Sequence, residues 1–523
     1  MSLRNLTLAI ILSTLAILAG CSSSSNTATP PPSGKFSVSN LTGSYAFSAA
    51  GTDSGGAPFS LAGSLQANGS GGITGGALTL NDASLSAPFS GLAITGGSYT
   101  VTADGRGKAS LSTAQGPVVL DFVLLSNSHA LVTRYDNNGT GSGTMDLQST
   151  VTQTQLAGSY AFSLGGIDTS GAPLATVGSF TIDSTGTITA GVEDFNDQGF
   201  AYPSLTLAGS VTAGTGSAPG TATLTATNSS SVSTFGTLNF DVYAVDATHL
   251  KFVQKDASPI LAGDVFTQQG AALPSTSKQL VFTMAGGVNA PLAIGGYMTI
   301  DGVSAISGGL EDVNANGSVP APLNFSGSYA ASGSVGGRTL LTLTGFSGAT
   351  QLVAYPTTSA GIQLLEIDNG GLLSGGAVVQ TAGAALAASQ GYGLGLAAIN
   401  IGGVTGAFEE DDIAEFATTS TGVSGLVDIN DEGTLSFDQT LNGSYTLDSP
   451  ATGRGVLTSN MFNGVFYAAD SSTVLFLETD STQIGTGSFQ LQTPGSKSSA
   501  AASRMSVLHL SPAARQAWRR RHN

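Results

Sequence analysis

Three stretches of this chain place oxygen-bearing side chains at a spacing that could hold a hard cation. Asp312-x-Asn314-x-Asn316-Gly317 has the ligand spacing of the first half of a calcium loop, with Gly for the sharp turn. Asp194-x-Asn196 and Asp428-x-Asn430 share its start. The carboxylate that such a loop needs at its twelfth position is missing, since Leu323, Leu205 and Gln439 stand there. Two readings stay open. In one, calcium binds weakly through Asp312, Asn314, Asn316, Asp194, Asn196, Asp428 and Asn430, with Asp312 at the favoured site. In the other, Asp and Asn cap a turn through their own side chains, with Gly at positive φ. No other cofactor is expected.

These stretches recur at a fixed interval. Gly191-Val192-Glu193-Asp194-Phe195-Asn196 returns as Gly309-Leu310-Glu311-Asp312-Val313-Asn314 and Gly425-Leu426-Val427-Asp428-Ile429-Asn430. A decayed copy ends at Asn81, with Thr79 in place of the Asp. The central Asn stands at 81, 196, 314 and 430, and so constant a period means one structural unit copied four times. The units run over 41–148, 156–269, 278–380 and 391–492 and all end on Gln. The short joints between them bring neighbouring units close together.

The repeat also tests other chemistry, because a shared working group should recur. His129 and His249 match in position, but Gly361 and Thr473 stand at that place in the other units, so they read as hairpin-turn histidines. Asp136, Asp256, Asp368 and Asp480 recur at a strand end, which is usually a structural place. Two residues earlier stand Arg134, Gln254, Glu366 and Glu478. A position that takes either sign of charge is expected to face solvent. Glu409, Glu410, Asp411 and Asp412 read as a solvated loop, with a carboxylate pair for glycoside cleavage as the competing view. Gly-x-Ser-x-Gly, His-Glu-x-x-His and the phosphate-binding Gly-x-x-x-x-Gly-Lys are absent from the sequence. No catalytic residue is singled out, and the expectation is a protein that is not an enzyme.

With 72 Gly and charged residues at only 9%, the 523-residue chain suits short strands and tight turns. The net charge of −17 is unevenly spread. Thr493–Asn523 holds six basic residues and no acid, and reads as a short helix from Ser511-Pro512 or a disordered extension. The body keeps nine basic residues against 33 acids, which argues against nucleic acid as a partner and fits solubility in water.

Arg4 and the apolar run Leu6–Leu18 form an export signal too short to span a bilayer. The run closes in Leu18-Ala19-Gly20-Cys21, which resembles the lipobox of bacterial lipoproteins. The resemblance implies cleavage before Cys21, acylation of its thiol and anchoring to a membrane without spanning it. Ser22 after the Cys implies the outer membrane in preference to the inner. Cys21 is the only cysteine, so no disulfide is expected. Residues 22–40, with Pro30-Pro31-Pro32, read as a tether. The whole resembles tandem-repeat lipoproteins of environmental bacteria, a resemblance that brings no activity with it.

Each unit shows about eight strand-length segments. In 238–244, Leu238, Phe240, Val242 and Ala244 alternate with Asn239, Asp241 and Tyr243, which places one face on a core and one in water. The expected class is all-β: four tandem antiparallel domains, favoured as up-and-down barrels, with a sandwich as the alternative. Gly43-Ser44-Tyr45 and Gly158-Ser159-Tyr160 faintly resemble the start of lipocalin and avidin barrels. The functional expectation is a lipid-anchored binding or structural array in the cell envelope, whose partner is an envelope polymer or surface ligand. The alternatives are barrels that carry small apolar ligands, or an envelope carbohydrate hydrolase.

Overall fold

The computed structural model describes residues 35–228, 233–268, 273–333, 336–358, 361–401, 408–449 and 451–496. The leader with Cys21, the tether up to Gly34, and the basic segment from Lys497 lie outside the described residues. Among the described residues the fold is all-β, with 32 strands and two one-turn 3-10 segments. The strands close into four separate eight-stranded antiparallel barrels. They begin with Thr42–Asp53, Gly158–Ile167, Lys278–Gly286 and Gly391–Asn400, and close with Gly139–Leu147, Ile260–Thr267, Leu373–Val379 and Gln483–Leu491. In each, every strand pairs with the next and the eighth returns to the first, as in Tyr45↔Leu147 and Tyr392↔Leu491. Closure removes the free edges that a disulfide-free sheet would otherwise expose.

Glycine makes one part of this closure possible. Gly143, Gly263, Gly375 and Gly487 recur in the eighth strands. A Cβ on each would stand 1.8, 2.0, 2.1 and 2.3 Å from a carbonyl oxygen of the first strand, far inside contact distance. Only a residue without a side chain lets the two strands approach so closely.

The barrel interiors are filled. Barrel 2 packs Phe162 against Phe180 and Phe240 against Phe252, with ring centroids 5.7 and 5.5 Å apart. Barrel 4 packs Phe476 against Phe489 at 5.0 Å. The joints plug the ends, because Leu41, Leu156, Leu273 and Leu386 are each buried in the core of the barrel they precede. The apolar hollow that carriage of a small ligand would use is therefore occupied by side chains.

Two expectations about charge are corrected. Glu409–Asp412 is not a loop. It lies in the strand Phe408–Thr418, with Glu409, Asp411 and Asp412 buried. The residues two before the recurring Asp do not face solvent, since Arg134, Gln254, Glu366 and Glu478 are all buried. Seventeen of the 33 acids are buried, so the formal charge overstates the acidity of the surface. The outward face of 238–244 likewise meets a second barrel, with Asp241 and Tyr243 buried against barrel 1.

Candidate functional site

The repeated motif sits at the end of each barrel's third strand: Gly72–Asp82, Ile188–Asp197, Ala305–Ala315 and Gly422–Asp431. Asp and Asn two apart point to the same side of a strand, and here that side meets the next barrel. Asn81 Nδ2 donates to the carbonyls of Gln254 and Asp256 in barrel 2, at 3.0 and 2.8 Å. Asn196 donates to Glu366 and Gly371 in barrel 3, at 2.9 and 2.8 Å. Asn314 donates to Glu478, Asp480 and Gln483 in barrel 4, at 3.0, 3.1 and 2.9 Å. Asn430 donates to Arg134 and Gly139, at 2.8 and 2.9 Å, and these belong to barrel 1. The contacts run from barrel 1 to 2, 3, 4 and back to 1. One head-to-tail interface, used four times, closes into a cycle.

The same Asn also shapes its own turn. Its Oδ1 accepts the N–H of Gly199, Gly317 or Gly433 at 2.9, 3.0 and 2.8 Å, and these glycines have φ of 84, 82 and 93°. The Asn amide is thus spent on a turn at its oxygen and on a neighbour at its nitrogen.

A second amide repeats the device. Gln148 Nε2 donates to Ala244 O of barrel 2 at 2.7 Å, and Gln268 to Gly336 O of barrel 3. Gln380 donates to Ala468 O of barrel 4 at 2.7 Å, and Gln492 to Leu124 O of barrel 1 at 2.9 Å. A Gln at the end of each unit, or in unit 2 one residue before it, is a plug into the next.

The motif Asp is ion-paired across the joint. Arg338 of barrel 3 donates from Nε and Nη2 to Asp194, at 2.8 and 2.6 Å. Arg454 of barrel 4 holds Asp312 in the same two-pronged way, at 2.7 and 2.8 Å. Arg106 of barrel 1 reaches Asp428 at 3.2 Å. Tyr355 adds a hydroxyl to Asp194 at 2.5 Å, and Tyr467 does so to Asp312. A two-pronged guanidinium is among the strongest partners a buried carboxylate can have. A calcium ion would have to displace Arg454 to reach both oxygens of Asp312. Asn316, the third candidate ligand of that stretch, is exposed on the turn, with φ of 50°. The seven candidate ligands are distributed over three joints, each next to a guanidinium. Among the described residues, no group of three His, Cys, Asp or Glu is arranged to hold a metal ion.

The first joint departs from the pattern on both sides. Thr79 replaces the Asp, and Pro219 stands where Arg106, Arg338 and Arg454 precede their fifth-strand partners. Thr79 Oγ1 instead donates to Asp241 at 2.6 Å and lies 2.9 Å from the Tyr243 hydroxyl. The Asp and the Arg of the other joints are both absent here.

Apolar side chains seal the joints around these polar plugs. Ala46, Ala62, Tyr243, Val245 and Val253 join barrels 1 and 2. Ala175, Val177, Val353 and Leu365 join 2 and 3. Val281, Val378, Val465 and Leu475 join 3 and 4. Val123, Leu125, Leu131 and Ile413 join 4 to 1. These side chains are buried, which raises the cost of leaving any of the polar groups among them unpaired.

His129 and His249 lie where barrels 1, 2 and 4 meet. His129 Nδ1 is 2.8 Å from Asp146 and its Nε2 is 3.2 Å from Gln490 of barrel 4. His249 Nε2 is 2.7 Å from Asp264. The fully buried Lys251 bridges Asp146 and Asp264, at 3.2 and 3.3 Å. Burial alone would raise the Asp146 carboxyl. Lys251 and the two histidines outweigh it and hold that carboxyl well below its usual range. Burial lowers His249. Both imidazoles are committed to carboxylates inside a seam, and neither heads an open cleft.

The residue two before the recurring Asp completes each joint. Arg134 Nε reaches Asp136 at 3.2 Å, and Gln254 Nε2 reaches Asp256 at 3.4 Å. Glu366 and Glu478 occupy the same place beside Asp368 and Asp480. Burial and then Asp368 push the Glu366 carboxyl up to about 9. Burial, with Asp412, Asp480 and Glu410 adding to it, raises Glu478 well above the ordinary value. In the protonated form each Glu becomes a donor towards its Asp, as Gln254 and Arg134 are. A cleft of about 430 Å³ opens beside Glu366, lined by Phe346, Thr350 and Asn369.

The Asn and Asp positions were visible from the repeat, but their partners were not. The one signal for the arginines was scarcity. Nine cations remain in the body, and three of them stand at matching places before or at a fifth strand.

No protein-family model matches the chain. No curated protein matches it either. Among solved structures, a mutant of the vaccine antigen transferrin binding protein B from Haemophilus parasuis is 10% identical, with a TM-score of 0.20. It covers 70% of this chain and 83% of that one. Isotype 1 transferrin binding protein B from serogroup B Neisseria meningitidis is 12% identical over 70% and 84%, with a TM-score of 0.17. Likeness of that extent carries no function across to this chain.

Proposed function

We propose that this chain is a lipid-anchored envelope protein that binds or scaffolds without catalysis, and that its four barrels act as one closed unit. The observation that carries the reading is the Asn430 plug, which returns barrel 4 to barrel 1. A flexible string of binding modules has no use for such a contact, whereas a rigid platform requires it. The leader ending in Cys21 supplies the anchor, with the outer membrane as the favoured site. With interiors filled and strands seven and eight buried at the joints, the outward faces remain for a partner. Apolar side chains stand exposed at the start of two fourth strands, where Phe200 is 65% exposed and Leu323 39%. An envelope polymer or surface ligand touching several barrels at once would gain from effective concentration.

The test has two arms. Labelled fatty acid should enter the full chain and not Cys21→Ser, which should leave the membrane fraction. The combined change Phe200→Ser and Leu323→Ser should weaken binding to isolated envelope material by about tenfold or more while the fold persists. Unchanged binding would remove the outer faces from the proposal.

A further inference from the structure

The residue two before the recurring Asp carries N–H donors in barrels 1 and 2 and a carboxyl in barrels 3 and 4. In barrel 1 the Arg134 guanidinium lies over the Phe59 ring, 4.7 Å from its centroid, and donates to Asp136. In barrel 2 Gln254 Nε2 donates to Asp256 at 3.4 Å. Strand register makes these places equivalent, since Leu120↔Arg134, Phe240↔Gln254 and Leu352↔Glu366 all pair a sixth strand with a seventh. Barrel 3 puts Glu366 there, and Leu292 where barrel 1 has Phe59. Leu292 pairs with Ala315, the residue after the motif Asn, as Phe59 pairs with Asp82. The bulk and the N–H donors of Arg134 are both missing, and the cleft of about 430 Å³ opens at this mouth of barrel 3, outside its packed core.

The acids at this mouth are short of donors. Asp368 Oδ2 accepts from Thr350 N at 2.6 Å and from the Thr350 hydroxyl. Its Oδ1 is buried and accepts from no donor. Asp136, Asp256 and Asp480, at the same place, have both oxygens bonded. Glu366 is 2% exposed, lines the cleft, and has no donor at its Oε2 either. Gly371 makes room for that carboxyl, because a Cβ there would stand 2.3 Å from Glu366 Oε1. The two acids can satisfy each other only by sharing a proton, whereas Arg134 and Gln254 bring N–H groups of their own. Among the described residues that line the cleft there is no Lys, Arg or His. Leu292, Phe346 and Leu373 give it an apolar wall, and Asn369 stands exposed at its rim.

We propose that the mouth of barrel 3 binds an organic cation, an alkylguanidinium that takes the part Arg134 plays in barrel 1. Its planar fork of N–H groups donates to Asp368 Oδ1 and Glu366 Oε2, and its alkyl stem lies on Leu292 and Phe346. A volume of about 430 Å³ is at the small end of ligand sites and suits one such group. A free guanidino compound and an arginine side chain of another protein share this chemistry. Barrel 4 does not repeat the site, because Asn463 already holds both oxygens of Asp480, at 2.9 and 2.6 Å. The site depends on neither the lipid anchor nor the exposed apolar side chains proposed above.

The experiment is a calorimetric titration of the full chain with propylguanidinium, with the uncharged propylurea, and with a short peptide holding one arginine between glycines. Propylguanidinium should bind at a single site, and propylurea about tenfold more weakly or less. Glu366→Gln supplies Asp368 with an internal donor, as Gln254 does for Asp256, and Asp368→Asn removes the charge. Each should weaken binding of propylguanidinium by about tenfold or more. Glu478→Gln, the same change in barrel 4, should leave it unaltered. The denaturation midpoint of Glu366→Gln, expected to be no lower than that of the unchanged chain, separates lost binding from lost structure. Absence of propylguanidinium binding, or equal binding of propylurea, overturns the proposal. So does binding that survives Glu366→Gln in a folded chain, because the cation is then held elsewhere on the acidic surface. Peptide binding that falls with Glu366→Gln assigns the cation to a protein partner. Binding of propylguanidinium without the peptide assigns it to a free compound.

Discussion

Asn430 donates its amide to the carbonyl of Arg134, a residue 296 positions earlier in the chain. The other three joints of this kind connect barrels that are consecutive along the chain. This one has no such connection, and it is held by side-chain plugs, the Arg106–Asp428 pair, backbone bonds such as Thr493 N to Leu125 O, and a small apolar seal. Asn430→Ala strips the donor from two buried carbonyls and leaves Gly433 N without its acceptor. A cost of about 2–4 kcal/mol is expected. Hydrogen exchange should rise first around Arg134–Gly139 and Asn430–Gly433. Asn196→Ala should open its joint less, because the connection between barrels 2 and 3 keeps the partners near each other. Equal opening of both joints would argue that the seam is held mainly by something other than its plugs.

The Asp312–Arg454 pair predicts a strong asymmetry between breaking and removing. Arg454→Ala leaves a buried carboxylate facing only Tyr467 and should cost about 3–5 kcal/mol. Arg454→Lys should recover little of it, because an ammonium cannot reproduce two parallel bonds. Replacing both partners together by Leu and Met should cost less than Arg454→Ala alone. Denaturant unfolding of the four proteins reads this directly, and a fully additive double change would refute the coupling.

Buried protonated glutamates set the pH dependence. Glu366, Glu193 and Glu415 have folded values of about 9, 8 and 8, each raised mainly by burial from the ordinary 4.5. Below about 4.5 both folded and unfolded chains hold these protons, and the contribution is intact. Between there and the folded values, the folded chain keeps protons that the unfolded chain has released. Stability must then fall as pH rises towards 9. Asp146 acts in the opposite sense, and its contribution is lost only in strong acid, as pH falls through its depressed value. Thermal unfolding should therefore be later at mildly acid pH than at about pH 9. Glu366→Gln copies the arrangement of Gln254 with Asp256, so it should flatten part of this slope and stabilise the protein by about 1–2 kcal/mol at the alkaline end. A melting temperature that climbs from about pH 5 to about pH 9 would contradict the assignment.

The barrels were legible in the sequence because alternation within one strand is a local property. Leu238, Phe240 and Val242 declare their inward face without help from the rest of the chain. The cycle was not legible, because it depends on what an outward face meets. Asp241 and Tyr243 look as though they belong in water until barrel 1 covers them. Glu366 and Glu478 misled for the same reason. A place that accepts Arg, Gln or Glu reads as solvent, whereas here every occupant can donate a hydrogen bond to the Asp beside it. The recurring Asn was visible as a marker and its turn was foreseen, but its nitrogen carried no sign of a second barrel.

The first joint tests whether the ion pair can be added piecemeal. Thr79 donates to Asp241, which also accepts from Ser90 and lies 3.7 Å from Lys255 Nζ. Thr79→Asp alone copies the acid of the other joints but brings a second carboxylate against Asp241, with no arginine opposite. Like charges at such range in a dry seam disfavour ionisation of one of them. The single change should destabilise by about 2–4 kcal/mol, and the loss should shrink as pH falls and one carboxyl takes up a proton. Adding Asp241→Val, which reproduces Val353 and Val465 at the matching places of barrels 3 and 4, removes the repulsion. With Pro219→Arg also present, the introduced carboxylate would face the kind of guanidinium that Asp194, Asp312 and Asp428 already have. Recovery should therefore come in two steps, and denaturant midpoints of the single, double and triple variants measure both. If the triple variant is no more stable than Thr79→Asp alone, the matched loss of Asp and Arg at this joint is coincidence and not the decay of a shared pair.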